Sequence, residues 1–473
     1  MSFIKKFNSY LPEVIRPSQK RLSFKEKLKW TGIILILFFI LGVIPLFGLG
    51  NNALANFEFL SYILGASFGS VISLGIGPIV TASIVLQLLN GAGLLRYDLT
   101  TSNGKADFQA TQRFLTLFFI IFEAGIYVFM GGLSPNPEFI GTSLYFSLQL
   151  LLVFQLFLGG LLILYMDEVV SKWGFGSGIS LFIAAGVSKS IFIRTFSWLP
   201  ANEVVADFTY STGKLLQLFQ AFSVGEPRVA FLALAAITST IVVFVISVYL
   251  QAMKIEIPLS FGRIRGHGIR WPLSFTYANV IPVILVSALI ANLQLWTGLL
   301  NKWGVYWLGT VSSTGTPQSG LISWIVQPGG SDGLLGLIIN AGTISIGIKP
   351  YIQGLIYLTI MVGGCMLFSY FWVQTSGMDA RTQAKNMMSS GLTIPGFRRD
   401  QRVLERLLDR YIGPLTLMGG ASIGFLAAIA DLLGALGQGT GILLTVMIIY
   451  KLYEEIAKQH MMDMHPMMRK FME

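Results

Sequence analysis

The chain has 473 residues, a formal net charge of +10 and a single cysteine. Only 12% of its residues are charged and 53% are hydrophobic, whereas a soluble protein carries about 25% charged residues. This composition excludes an ordinary soluble protein and indicates a polytopic membrane protein. The lone Cys365 excludes an intramolecular disulfide and a cysteine-based metal site, and the three histidines do not cluster, so we expect no metal and no cofactor.

Uncharged runs in chain order predict the membrane-spanning helices. A basic segment, residues 1–29, precedes them and is expected to be an amphipathic N-terminal segment in the cytosol. The predicted spans are 30–49, a broken run at 59–95, 114–133, 139–166, 173–193, 229–253, 271–300, 350–377, 411–430 and 432–450. With the broken run counted as one crossing, there are ten spans, followed by a tail at 451–473.

Five spans lie on each side of the polar interval 194–228, which we expect to be an external loop. The halves are therefore 30–193 and 229–450, and an odd number of spans per half requires any internal repeat to be inverted in the membrane. The predicted fold is an all-α membrane protein with ten transmembrane helices in two pseudo-symmetric, inverted halves of five.

The broken run is too long for one span and too short for two. Gly75, Gly77 and Pro78 interrupt its middle, and proline in a helix interior removes a hydrogen bond and clashes with the preceding turn. The run therefore predicts one full span and a left-over short half-helix at about 59–74.

The distribution of Lys and Arg predicts the orientation. With the N-terminus inside, the inside segments carry 27 of the Lys and Arg residues and the outside segments carry 6. This bias predicts that both termini are cytosolic.

Two long inside loops, 254–275 and 376–411, are rich in arginine. Exposed arginines suit phosphate backbones, so a ribosomal RNA surface or an acidic motor protein are candidate partners. The positive-inside bias alone also accounts for the sign of the charge, and the alternative stays open.

Catalytic motifs are missing from the sequence. It has no phosphate-binding loop for ATP, and the glycine-rich stretch Gly174–Ser180 opens an apolar span rather than following a strand. Glu123 is the one ionisable residue deep in a predicted span, while Asp167, Glu168 and Asp431 lie near the ends of spans. An ion-coupled pump would require more buried charge, and for Glu123 a structural and a functional role are both open.

Five stretches in order along the chain carry a resemblance to a known family. They are LGIGPIVTASIVLQLL (74–89), YMDEVVSKWGFGSGISLFIAAGVS (165–188), EIPLSFGRIRG with NVIPVILVSALIANLQLW (256–296), TSGMDA with IPGFRR (375–399) and GALGQGTGILLTV with YEE (434–455). In these stretches the chain resembles the SecY family of protein-conducting channels, in its archaeal and eukaryotic branch.

The resemblance implies a role for each matching position. An apolar pore ring would comprise Ile76, Val80, Ile179, Ile183, Ile284 and Leu444. A plug at about 59–74 would include Leu60, Ile63, Leu64 and Phe68. A lateral gate would include Thr81, Glu123 and Asn292, where Glu123 departs from the expected amide. Arg263, Arg265, Arg270, Arg398 and Arg399 would dock the ribosome or, in bacteria, the SecA motor.

The resemblance further implies a non-catalytic channel in the cell membrane. Secretory chains with signal sequences would cross it, and apolar segments would leave sideways into the lipid bilayer. The expected partners are SecE, a small SecG/beta-type subunit and the ribosome. Two other interpretations remain: a secondary transporter with inverted repeats, which would require a polar midplane pocket, and an insertase or scaffold without a pore.

Overall fold

The computed structural model describes 12–18, 22–54, 64–91, 94–95, 97, 101–205, 208–261, 268–278, 280–312, 317–329, 333–340, 347–389, 392–393, 400–437 and 439–464. Helices make up most of this part of the chain. In chain order they are α1 Phe24–Leu41, α2 Gly77–Gly91, α3 Ser102–Phe129, α4 Ser143–Trp173, α5 Gly178–Phe196, α6 Lys214–Val224, α7 Pro227–Ala252, α8 Ile281–Lys302, α9 Leu321–Ile325, α10 Gly333–Asn340, α11 Lys349–Thr375, α12 Ala380–Ser389, α13 Gln401–Leu432 and α14 Gly439–Met464.

Long helices coincide with the predicted spans. Within the described residues, seven helices are long and apolar enough to cross a membrane, namely α3, α4, α5, α7, α8, the stretch from α11 to α12, and α13. The remaining three predicted spans coincide with α1, α2 and α14. The order of these helices agrees with five spans on each side of the interval that contains α6.

Helix boundaries differ from the predicted span boundaries, most clearly at two places. Helix α1 begins at Phe24, before the predicted span start at Trp30, and the Ser23 hydroxyl accepts the Glu26 N–H and caps the helix. The predicted span 271–300 begins with a strand, and its helix starts only at Ile281. In both places the end of the uncharged run does not coincide with the start of the helix, because a helix can begin among charged residues and a strand can begin an apolar run.

Short strands form small sheets between the helices. They are β1 Asn51–Asn52, β2 Leu133–Ser134, β3 Pro200–Val205, β4 Phe208–Ser211, β5 Lys254–Phe261, β6 Gly268–Ser274, β7 Thr310–Val311, β8 Pro317–Ser319 and β9 Leu392–Thr393. The basic loop 254–275 is an antiparallel hairpin of β5 and β6. Strand β9 of the second basic loop pairs with β5, so the structure joins the two loops in one three-stranded sheet.

The predicted plug helix is not helical in its described part. Residues 64–76 form a series of turns. Residues 59–63, which include the predicted plug residues Leu60 and Ile63, lie outside the described residues. Helix α2 begins at Gly77, so Pro78 lies in its first turn, where the missing N–H costs nothing. Gly75 has a φ of +55°, and a Cβ there would lie 2.2 Å from the Leu64 carbonyl oxygen, so the turn before α2 requires glycine.

One apolar core joins the two halves. It contains buried side chains from α2 to α5 and from α8, α11, α13 and α14. Helix α13 packs along α11, and α14 packs against α5 and α7. A second, smaller core lies under the basic loops, between β5, β6, α12 and the start of α13. The large core therefore holds the centre of the molecule, where the predicted site residues lie.

Candidate functional site

The six predicted ring residues lie in one apolar cluster, which we call the waist. The waist consists of Ile76, Val80, Ile179, Ile183, Ile284 and Leu444. Five of them are at most 5% exposed, and Ile179 is partly buried against the same core. They come from the start of α2, from α5, from α8 and from α14, so both halves of the chain contribute.

Local backbone geometry places the first two waist residues together. Ile76 lies just before α2, and the Val80 N–H donates to the Ile76 carbonyl over 3.0 Å. The expected i, i+4 relation therefore holds although Ile76 precedes the helix.

The plug segment, residues 64–74, contacts the waist directly. The Ile76 N–H donates to the Leu64 carbonyl over 2.7 Å, and Leu64 is fully buried. A Cβ on Gly65 would lie 3.7 Å from Ile76 and 3.5 Å from Phe182, so the backbone at Gly65 is packed against both. Phe68 is partly buried against the same core. The structure thus places Leu64 against the waist and Phe68 in the same large apolar core.

Hydrogen bonds attach the plug segment to the connection after α1. The Val71 N–H donates to the Ile44 carbonyl over 3.0 Å, the Leu46 N–H donates to the Gly69 carbonyl over 2.9 Å, and Pro45 forms an antiparallel bridge with Ser70. The hydrogen bond from the Ile76 N–H to the Leu64 carbonyl joins the plug segment to a waist residue, and the contact at Gly65 with Ile76 is apolar. Separation of the plug segment from the waist would therefore break that backbone hydrogen bond together with apolar contacts.

A cavity of about 540 Å³ is lined by three waist residues, Val80, Ile179 and Ile284. Much of the remaining lining is apolar, including Phe108, Phe175 and Trp372. The lining also carries polar and charged side chains: Ser83, Gln87, Lys105, Gln109, Gln112, Ser177, Ser180, Thr375, Ser376, Lys451 and Glu455. These residues include the ends of helices on the side that the sequence predicts to be cytosolic. Waist residues therefore line this cavity, and another waist residue, Ile76, contacts the plug segment.

The three predicted gate residues form one buried hydrogen-bonded chain, which we call the seam. The Asn292 side-chain amide donates to the Thr81 hydroxyl over 3.0 Å, and that hydroxyl lies 3.1 Å from Glu123 Oε1 and 2.9 Å from its own helix carbonyl at Gly77. All three side chains are at most 8% exposed. The seam links α2, α3 and α8, and hence the two halves.

The seam is incompletely satisfied. Within the described part of the chain, Glu123 Oε2 and Asn292 Oδ1 are buried and have no hydrogen-bond partner. Thr81 has one hydroxyl proton for two neighbouring acceptors. Buried polar atoms without partners raise the free energy of the state that contains them, so the closed seam is held less tightly than its burial implies.

A second contact joins α3 and α8 at their C-terminal ends. The Lys302 ammonium at the end of α8 donates to the Gly131 carbonyl just after α3, over 2.5 Å. Leu299 packs against Gly132 nearby. Sequence reasoning missed this contact, because nothing in the charge pattern relates a lysine at position 302 to a carbonyl 171 positions earlier.

The predicted docking arginines are only partly described. Arg270 is exposed on β6 and pairs with Glu256 on β5, with 3.0 Å between Nη1 and Oε2. Arg263, Arg265, Arg398 and Arg399 lie outside the described residues. At the base of the hairpin, the Lys254 ammonium donates to Glu454 over 2.9 Å, and this bond raises the pKa of Lys254 above its usual value.

The family model described as SecY matches residues 70–453. The chain belongs to the SecY family. It is 44% identical over 470 residues to the protein translocase subunit SecY of Methanothermobacter thermautotrophicus, covering 98% of this chain and 97% of that protein. It is 40% identical over 471 residues to the SecY subunit of Pyrococcus horikoshii, again covering 98% of this chain and 97% of that protein.

Solved structures agree with the SecY assignment. A structure described as that of a protein conducting channel matches with a TM-score of 0.79 at 38% identity, covering 97% of this chain and 98% of the other. A structure described as showing that the plug domain of SecY stabilises the closed state matches with a TM-score of 0.79 at 39% identity and the same coverage. Sec61 in the canine ribosome-channel complex matches with a TM-score of 0.77 at 37% identity and the same coverage.

Proposed function

We propose that this chain is the channel-forming subunit of a protein translocase in the cell membrane. The observation that supports this function is the apolar waist, to which both halves contribute and whose residues contact both a large cavity and the plug segment. A constriction lined only by apolar side chains excludes ions by dewetting. Because apolar contacts have no preferred direction, the same side chains can part around an extended polypeptide and close again behind it.

The seam supports a lateral exit. It lies beside the waist, between α2 and α3 on one side and α8 on the other, and two of its polar atoms have no partner among the residues that the structure describes. An apolar segment of a polypeptide in the waist would gain free energy by moving into lipid. Breaking the seam would let that segment leave sideways, and Thr81, Glu123 and Asn292 would set how readily it opens.

The basic loops support docking of an anionic partner on the side predicted to be cytosolic. The structure joins both loops through β5 and β9, and Arg270 is exposed on the neighbouring strand β6. Sec61 and Ssh1, to which the chain is similar in fold, are described in complexes with ribosomes. We infer that this surface binds the ribosome, that both termini are cytosolic, and that the partner rather than this chain supplies the energy.

Two small membrane subunits, SecE and a SecG/beta-type protein, complete the proposed assembly. The family resemblance supports them, and the many apolar side chains exposed along the helices leave room for membrane partners as well as lipid. Secretory polypeptides with signal sequences are the proposed cargo, and no catalytic step is assigned to the chain.

Removal of the plug segment tests the proposed function. The full assembly lacking residues 60–72 is reconstituted in a planar bilayer, and its ion conductance is measured without a polypeptide substrate. We expect a large rise in conductance, because the waist loses the Leu64 backbone and side chain that lie against it. Leu334→Ala, which truncates a leucine outside the waist, serves as the control and should leave the conductance unchanged. Conductance equal to that of the intact chain after the deletion would contradict the plugged channel.

A further inference from the structure

Two aspartates occupy corresponding places in the two halves. Asp167 lies in the last two turns of α4, and Asp431 is the penultimate residue of α13. Each of these helices is followed, after a short connection, by a helix that carries waist residues, α5 and α14 respectively. Helices α4 and α5 are the fourth and fifth spans, and α13 and α14 are the ninth and tenth, so the pairs correspond between halves.

Asp167 binds the N-terminus of α5. Its Oδ1 accepts the Ile179 N–H over 2.9 Å and lies 3.5 Å from the Ser177 hydroxyl. The Gly178 N–H also points to this carboxylate. The first N–H groups of a helix have no partner within the helix, and a carboxylate there is also favoured by the helix dipole.

Asp431 binds the N-terminus of α14 in the same way. Its Oδ1 accepts the Thr440 N–H over 2.9 Å. Its Oδ2 accepts the Tyr357 hydroxyl over 2.6 Å and the Thr440 hydroxyl as well. Asp431 is 2% exposed, so this carboxylate also connects α13 and α14 to α11.

A glycine permits the close approach at each site. A Cβ on Gly178, the first residue of α5, would lie 2.6 Å from the Asp167 Cα. A Cβ on Gly439, the first residue of α14, would lie 1.9 Å from the Cβ of Ala430, beside Asp431. Real Cβ atoms do not come this close to other atoms. Each aspartate with its glycine is called a clamp below.

Each clamp accepts a backbone N–H four residues before a waist residue. Ile179, itself a waist residue, donates its N–H to the first clamp and is followed four residues later by Ile183. Thr440 donates its N–H to the second clamp and is followed four residues later by Leu444. Residues four apart lie on one helix face, about 6 Å apart along the axis. A shift of either helix at its clamp would therefore move a waist side chain directly.

We propose that Asp167 and Asp431 are positioning residues, which hold α5 and α14 so that Ile183 and Leu444 meet in the closed waist. This inference rests on the proposed function, since it assigns the clamps a task in closing the channel. An aspartate that caps a helix without waist residues gives the matched comparison. Asp379 is such a residue, since it accepts the Thr382 N–H of α12 over 3.1 Å.

The first test measures resting ion conductance of the full assembly in bilayers, with thermal unfolding measured in parallel. We expect Asp167→Ala and Asp431→Ala to raise the resting conductance about fivefold, which corresponds to about 1 kcal/mol, the typical contribution of a helix cap. Asp379→Ala should leave the conductance unchanged even where it lowers the unfolding temperature. Equal conductance in all three variants would overturn the proposal.

Conservative variants separate positioning from general destabilisation. Asparagine keeps one acceptor oxygen, so Asp167→Asn should return the conductance to that of the unchanged chain. Asp431→Asn should not, because its amide nitrogen cannot accept the Tyr357 hydroxyl. If the alanine variants do not fold, Asp167→Asn and Asp431→Asn test the proposal in their place. Resting conductance unchanged in both asparagine variants would overturn it. Gly178→Ala should raise conductance, whereas Gly363→Ala, whose Cβ meets nothing within 4 Å, should not.

Ile183→Ser serves as the reference that keeps the two proposals apart. It alters the waist itself and should raise the conductance whatever the clamps do. If it has no effect, the proposed function fails. If it raises the conductance while Asp167→Ala and Asp431→Ala behave like Asp379→Ala, the proposed function stands and the clamp proposal is wrong.

Discussion

The waist and the seam lie side by side and consist of different kinds of contact. The waist consists of apolar side chains from α5, α8, α14 and the start of α2. The seam is a short chain of hydrogen bonds through Thr81, in which Glu123 Oε2 and Asn292 Oδ1 find no partner among the described residues. Both are buried in the same core.

The waist and the seam therefore represent two kinds of barrier, one apolar and one hydrogen-bonded. An apolar ring opposes water and ions but has no preferred partner, so it can fit any polypeptide that enters it. A hydrogen-bonded seam has a defined closed geometry and a definite cost of opening. We expect changes in the waist to alter ion leakage, and changes in the seam to alter the exit of apolar segments into lipid.

The largest effect is expected from a polar substitution in the waist. Ile284→Ser places a hydroxyl where only apolar side chains meet, so water should enter the constriction and the resting ion conductance should rise at least about tenfold. Bilayer conductance measures it. Ile163→Ser, the same change in a fully buried residue of α4 outside the waist, should leave conductance unchanged. Equal leakage in both variants would break the distinction between waist and core.

A smaller effect is expected at the seam. Thr81→Val keeps the shape of the side chain but removes the hydroxyl that joins Asn292 to Glu123, at a cost to the closed state of about 1 kcal/mol. The ratio of inserted to translocated product for a marginally apolar test segment should rise about fivefold. Thr297→Val removes a hydroxyl bonded only to the Leu293 carbonyl of its own helix, and it should leave the ratio unchanged. A rise in ion leakage without a change in insertion would contradict the separate roles.

The smallest effect is expected at the N-terminal segment 12–18, which contacts α3 of the seam and the neighbouring helix α4. Arg113 of α3 pairs with Glu168 of α4 over 2.9 Å, and the segment 12–18 lies across both. Glu13 pairs with Lys172 over 2.6 Å. The hydrogen bond from Lys172 holds the pKa of Glu13 below its usual value of 4.5, although partial burial acts in the opposite direction.

This pKa shift predicts a pH dependence. A carboxyl whose pKa is lowered by a partner stabilises the bound state above pH 4.5, and that contribution is lost as the pH falls through the lowered pKa. The anisotropy of a fluorophore on Ile15→Cys, in a Cys365→Ala background, should therefore fall as the pH drops below 4.5. Glu13→Gln should remove this step. An unchanged step in Glu13→Gln would show that another group controls the segment.

The spans were predictable from the sequence, because a bilayer imposes the same length and lack of charge on each of them. Boundaries were less predictable. Helix α1 begins among charged residues, because Ser23 caps it and the charges lie in its first turns. The apolar stretch at Trp271 belongs to β6, because it pairs with β5 and packs on the small core under the loops.

The site residues were predictable to different degrees. The waist isoleucines look like any isoleucine in a span, and only the family resemblance distinguished them. The sequence placed Asp167 and Asp431 near span ends but assigned them no role. Each accepts a backbone N–H of the next helix, 12 residues onward for Asp167 and 9 for Asp431, and backbone groups carry no sequence signal. The signal that could have identified them is the glycine that begins the next helix in both halves.

The most direct test of the account asks whether a translocating polypeptide passes through the waist. A secretory chain with one cysteine is stalled during transport by the full assembly, in a Cys365→Ala background that carries Ile284→Cys. We predict a disulfide between the stalled chain and position 284, and none when the channel cysteine is placed instead at Ile163. Crosslinking at Ile163 but not at Ile284, during active transport, would contradict the account.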